Sequence, residues 1–217
     1  MNTANWDIQT HGPSPGPPAL GAIGTTPPGL GVVEGGELPY LPEALAKKKQ
    51  NFANRWSADP EIKCYMPGVP RATYMPYPFQ ILQGSNSIMM VYEYANAVRT
   101  INMGPPREAQ VDSWMGWSNG RWEGNTLVVD VTGQVEQTWF DRSGDFHSDA
   151  LHVVERYTLK DHDHISYEAT IEDPKVFTRP WKMSMPLYRL VDKDPAVLEY
   201  ECVFYLQEER YKNAPFK

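Results

Sequence analysis

Between Thr138 and Tyr157 the chain reads TWFDRSGDFHSDALHVVERY, which gathers Asp141, Asp145, His147, Asp149, His152, Glu155 and Arg156. Imidazole changes charge near neutral pH, and a neighbouring carboxylate fixes its tautomer and raises its basicity. Two histidines set five positions apart among carboxylates are material for proton transfer or for a metal site. Spacing of five does not place two side chains on one helix face. The sequence therefore predicts His147 in a turn and His152 as the second residue of a strand that starts at Leu151. In that strand His152, Val154, Arg156 and Thr158 share one face, and Leu151, Val153, Glu155, Tyr157 and Leu159 share the other. One face puts an imidazole and a guanidinium inside the fold; the other puts Glu155 and Tyr157 there. Alternation alone leaves the choice open.

Roles follow from residue type. His147 or His152 is expected to take a proton, with Asp141 or Asp149 orienting it. Arg179, between Thr178 and Pro180, and Tyr92, on one strand face with Met90 and Tyr94, are expected to stabilise developing negative charge. The bland alternative makes these groups caps and turn acceptors for loop backbone. A metal version would use His147, His152 and a carboxylate to hold a divalent ion such as zinc or iron. No HxH, HExxH or CxxC spacing supports it, so the first expectation is chemistry without a cofactor. No phosphate loop, dinucleotide fingerprint, nucleophile elbow or catalytic-cysteine motif is present.

The chain holds 7 Trp and 12 Tyr. Trp114, Trp117, Trp122, Trp139 and Trp181 surround the polar stretch in sequence. Most bulky aromatics pack cores, but a lining of indole and phenol suits a flat guest. Trp114, Trp117, Trp139, Trp181, Tyr74 and Arg156 are the expected substrate-binding residues.

These residues need a scaffold. Residues 1–38 include a Pro- and Gly-rich run that cannot form a helix or central strand, and read as an extended arm over the main body. Residues 39–217 form the expected β-barrel domain, with a helix over 42–57. Pro42 suits a first helical turn, Leu41, Leu45, Phe52 and Trp56 recur on one face, and Asp59-Pro60 ends it. Short β runs follow from Phe79 onward, with turns at Gly84–Asn86, Asn119-Gly120, Glu123–Asn125, Lys160–Asp163 and Asp192–Pro195. The last run covers Val197–Leu206. The pattern predicts an antiparallel meander closing into a barrel or a sandwich, and a barrel of this size fills itself with side chains or holds one small ligand.

The strings SWMGWSNGRWEGNTLVVDVTG, TWFDRSGDFHSDALHVVERYT and YEATIEDPKVFTRPW resemble a largely uncharacterised family of bacterial, often exported proteins, and the likeness runs from VVEGGELPY to the end. The resemblance implies a lipocalin-like β-barrel and a mature fragment whose leader has been removed. The chain departs from the family's pattern at Gln134-Val135-Glu136, where members more often read Phe-Asn-Asp, and at Trp117, where a polar residue or His is common. A substrate larger or more aromatic than the family's usual one would follow if the pocket lies there.

Composition sets the outer bounds. A net charge of −7 argues against nucleic acid and anionic membrane surfaces as partners. No apolar run approaches the roughly 20 residues of a transmembrane helix. Cys64 and Cys202 form an even pair, compatible with one bridge or with two thiols. The expected location is periplasmic or secreted, or cytoplasmic if Met1 is the native start. The expected function is a lyase or isomerase step by acid–base catalysis on a hydrophobic, phenolic molecule in a barrel cavity. The rivals are a non-catalytic lipocalin-like carrier and a His/carboxylate metalloenzyme. Exposed aromatics in the arm leave room for a homodimer.

Overall fold

The computed structural model describes residues 38–202 other than 76 and 192, together with the backbone of three two-residue strands, β1 (Trp6–Asp7), β2 (Gly12–Pro13) and β3 (Val32–Val33). The expected arm over residues 1–38 otherwise lies outside the described residues. The helix forms as α1 (Pro42–Ala58), with Pro42 in its first turn. It ends where Asp59 turns the chain and accepts the backbone N–H of Glu61 on its carboxylate. Ala44 is buried and Leu41, Leu45, Phe52 and Trp56 are half-buried. A one-turn helix, α2 (Arg71–Tyr74), is buried throughout.

Eight strands follow: β4 (Phe79–Gln83), β5 (Ser87–Tyr92), β6 (Val98–Asn102), β7 (Trp117–Glu123), β8 (Thr126–Thr132), β9 (His152–Leu159), β10 (His164–Glu172) and β11 (Trp181–Tyr188). With β3 they form one sheet in the order β3-β11-β10-β9-β8-β7-β6-β5-β4. The sheet curls into a half-barrel. Strands rich in Val, Ile, Tyr and Met alternate a buried side chain with a half-buried one, as a sheet with one covered face requires.

Three features differ from the expected closed meander. The sheet is open: β4 has a strand neighbour on one side only among the described residues. β6 and β7 pair in parallel, because residues 103–116 carry the chain back along the sheet before β7 begins. Residues 197–202 form no strand; Leu198 N donates to Glu93, Tyr200 pairs with Asn96, and Cys202 is bonded to Cys64. Residues 203–206 of the expected last strand lie outside the described residues.

The expected turn at Asn119-Gly120 does not form; β7 runs straight through it and turns at Gly124, whose φ is +62°. Packing explains both residues. A Cβ on Gly120 would stand 2.6 Å from Ile101 Cγ2 and from Met103 Sδ, so the glycine serves close approach rather than a turn. Asn119 uses its amide to clamp the backbone of Arg107, accepting at 2.9 Å and donating at 2.9 Å.

The Cys64–Cys202 bridge joins positions 138 apart, with a Cα–Cα distance of 5.8 Å. In the chain-entropy model a loop of that length is worth on the order of 5 kcal/mol. Replacing both cysteines with serine is expected to lower the unfolding free energy by a few kcal/mol in chemical denaturation. Reducing agent should then have no further effect on the variant.

Candidate functional site

Strand register decides which groups meet on the concave face. Three rows cross β7 to β11 there. The first is Ser118, Val131, Val153, Ile171 and Trp181; the second is Gly120, Val129, Glu155, Ala169 and Met183; the third is Trp122, Leu127, Tyr157, Tyr167 and Met185. Glu155 therefore sits mid-row in an apolar surface, and its side chain has no exposure.

The carboxylate has collected partners. Tyr167 Oη donates to Glu155 Oε1 at 2.7 Å, and Tyr157 Oη donates to the same oxygen at 2.9 Å. Arg99, from β6, donates to Oε2 through Nη2 and to Ser118 Oγ through Nε at 2.8 Å. Its Nη1 is buried and makes no geometrically good hydrogen bond among the described residues, although the Tyr92 hydroxyl lies beside the guanidinium. Tyr92 Oη donates to Met90 Sδ at 3.2 Å, and Thr73 Oγ1 lies 3.3 Å from Tyr157 Oη. Burial first, and then the charge of Glu155, raises the pKa of Tyr157 and Tyr167 well above the ordinary phenol value. Burial opposes the charge on Arg99, but the Glu155 carboxylate outweighs it and holds the guanidinium above its usual value.

Segment 67–75 brings further polar groups against this face. Gln134 holds the segment by both sides of its amide, accepting from Val69 N at 2.7 Å and donating to Val69 O at 2.9 Å. Arg71 reaches the other way, donating to both oxygens of Asp59 and to Glu61 Oε2. Glu61 also accepts Arg142 from two nitrogens. Against the cost of burial, Arg142 and then Arg71 lower the pKa of Glu61. Tyr74 Oη donates to Phe140 O at 2.7 Å. One helical turn thus ties the Glu155 cluster, the Glu61 cluster and the loop around Phe140 together.

That loop carries the polar stretch singled out in the sequence. Asp141 Oδ1 accepts the backbone N–H groups of Ser143 and Asp145. Tyr40 Oη donates to Asp145 Oδ1 at 2.7 Å, and burial followed by Asp145 raises the Tyr40 pKa. His147 is buried, with Nδ1 2.8 Å from Ser148 O and Nε2 2.5 Å from Thr138 Oγ1. A carbonyl beside Nδ1 requires the proton there, so Nε2 accepts the Thr138 hydroxyl and both ring nitrogens are used. Burial lowers the His147 pKa.

The other expected residues are spread out. His152 lies on the outward face of β9, half-exposed between Asp130 and Glu172, at 3.3 Å from each. Arg156 also faces outward and donates to Glu123 at 2.9 Å. Asp149 is exposed and pairs with Lys175. Arg179 is exposed and donates to Pro180 O. Trp114 is half-buried against Tyr65, and the Trp117 Nε1 donates to Val111 O. Trp139, Trp181, Tyr74 and Tyr92 are buried, and Trp181 Nε1 has no hydrogen-bond partner among the described residues. His147 and His152 are not drawn together: one is locked in the loop and the other is on the outer wall. Among the described residues no group of three His, Cys, Asp or Glu side chains is placed to hold a metal ion. No helix of the described residues is long and apolar enough to cross a membrane.

The central group, Glu155 with Arg99, Tyr157 and Tyr167, was largely missed as a site. Its signal was a carboxylate at the alternate position between Val153 and Tyr157, in a strand whose other face is mixed. Chemically it unites one carboxylate acceptor, two phenol donors and a cation in a water-excluded setting, the ingredients of general acid–base catalysis with anion stabilisation. Comparison with protein-family models, curated proteins and solved structures returned no match.

Two outcomes are expected. Glu155→Gln leaves Arg99 buried without its counter-charge and should cost roughly 3–5 kcal/mol, while adding Arg99→Met should recover part of that loss in a denaturation double-mutant cycle. His147 is held neutral by burial, so its folded pKa lies below the unfolded value near 6.5. The unfolded chain then binds the extra proton first. Stability from this group is full above about pH 6.5 and is lost as the pH falls below it, with a limiting slope of about 1.4 kcal/mol per pH unit. His147→Gln should flatten that part of a stability profile measured between pH 8 and 5.

Proposed function

We propose that the protein binds a small hydrophobic, phenolic molecule on the concave side of the half-barrel and carries out a cofactor-independent lyase or isomerase step there. The observation that carries this reading is the Glu155 group: a buried carboxylate holding two phenol hydroxyls and a guanidinium, with Arg99 Nη1 making no geometrically good hydrogen bond among the described residues. Unpaired buried donors are rare in folded proteins and call for an explanation, and a guest oxygen supplies one.

The chemistry follows from the parts. The carbonyl oxygen of the guest lies against Arg99 Nη1. Glu155 takes a proton from the carbon next to that carbonyl. The electron pair forms a double bond as a β carbon–oxygen bond breaks, and Tyr167 or Tyr157 gives its proton to the leaving oxygen. In the isomerase version the proton returns to a different carbon and no bond to oxygen is lost. This assignment moves the acid–base role from His147 in the loop and His152 on the outer face of β9 to the inner face of β9. Asp141 and His147 then position the loop that Tyr74 binds. The lipocalin-like likeness fits a curled sheet that wraps a guest, and a disulfide between Cys64 and Cys202 fits an exported protein.

The test is turnover across a panel of β-hydroxy and β-aryloxy phenylpropanones, followed by product analysis. Tyr167→Phe should keep the fold and lower kcat by about 100-fold or more. His152→Ala should leave kcat within a few-fold of the parent. Full activity in Tyr167→Phe and Glu155→Gln, with loss in His152→Ala, would overturn the assignment. Tight binding without any product would favour the carrier.

A further inference from the structure

A cleft of about 700 Å³ opens beside β7, between the β4–β5 turn and the segment that follows β6. Gln83 and Ser85 of the β4–β5 turn line one side, Met103 and Pro106 another, and Asn119, Gly120, Arg121 and Trp122 of β7 the strand side, where Arg121 pairs with Asp130 of β8. Its position is set by register. Gly120 occupies the row of Glu155, and Trp122 the row of Tyr157 and Tyr167. Neighbouring strands lie about 4.8 Å apart, so Gly120 is roughly 10 Å along the sheet from Glu155.

Three further observations distinguish this cleft. Trp122 is 51 % exposed although it sits at an inward position, while Leu127, Tyr157, Tyr167 and Met185 of its row are buried. Gly120 carries no side chain, and the tips of Ile101, Met103 and Leu127 stand over it. Met103 is the adaptable one of the three: unbranched, and half-buried rather than buried. Finally, β6 pairs with β7 only as far as Asn119, so β7 from Gly120 to Trp122 has a strand neighbour on one side only among the described residues. A polar substituent of a guest can meet that backbone edge.

We propose that this cleft is the entry and ring-binding site for a flat aromatic molecule bearing a hydroxyl group. The ring stacks on the Trp122 indole, its hydroxyl meets the open edge of β7, and displacement of the Met103 side chain passes it toward Tyr157. This rests on the proposed reading of the Glu155 group as the working end of the same face, and it names where the substrate is first held. Stacking on an exposed indole suits an aromatic ring, and Gln83, Ser85 and the Arg121–Asp130 pair in the same lining suit its polar substituent.

The probe is 4-bromophenol, whose bromine can be located by anomalous scattering in soaked crystals and whose binding can be followed by calorimetry. Bromine density over Trp122, with at least a 10-fold loss of affinity in Trp122→Ala, is the expected result. Bromine beside Glu155 with Trp122 bare, or unchanged affinity in Trp122→Ala, would overturn the entry site and leave the proposed chemistry standing. Bromine over Trp122 in a protein that converts no phenolic ketone would leave the cleft standing and overturn the chemistry. No bromine bound and no heat of binding would overturn the cleft proposal outright.

Discussion

The fold is organised around a charge it cannot leave unpaired. Glu155 lies in the middle of an apolar row, where an isolated carboxylate would cost several kcal/mol. Its partners come from three other strands: Arg99 from β6, Ser118 through Arg99 from β7, and Tyr167 from β10. Satisfying one carboxylate therefore fixes the curvature of the sheet, because only a curled sheet brings β6 across to β9, two strands beyond its neighbour β7. Replacing such a pair with hydrophobic residues is often neutral or stabilising.

Around that pair the rest of the molecule forms a cover. The Arg71–Tyr74 turn faces Tyr157 on one side, the Phe140 loop on another and the Asp59–Glu61 carboxylates on a third. Gln134 anchors the turn through Val69. This gives a physical sense to Gln134: its amide makes two backbone bonds that a phenylalanine in its place could not make. The Cys64–Cys202 bridge fastens the same region to residue 202, and the Tyr94 hydroxyl, which donates to Glu61 O, fastens it to the connection between β5 and β6.

Much of the scaffold could be read from residue order. Helix α1 was legible from the recurrence of Leu41, Leu45, Phe52 and Trp56 and from Asp59-Pro60. Most strands were legible from alternation, and the pairing of His152, Val154 and Arg156 on one face of β9 is as expected. The inward choice was not, because both faces of LHVVERYTL carry charge and periodicity is blind to sign. Arg99 was invisible for the same reason: in VRTIN a guanidinium reads as a solvent group until a carboxylate from a strand 56 positions away meets it. Asn119-Gly120 misled because its signal is local, whereas the contact that selects glycine there comes from Ile101 and Met103. The parallel step from β6 to β7 depends on how a long loop is routed, which no local pattern encodes.

The most direct check on the central claim is to watch the two phenols that face Glu155. In protein carrying 3-fluorotyrosine, with the ¹⁹F resonances of Tyr157 and Tyr167 assigned by Phe substitution, a phenolic ketone that the protein converts is titrated in. The account predicts that both resonances shift together and saturate with the kinetic constant. Resonances that stay fixed while turnover proceeds would show that the chemistry happens elsewhere.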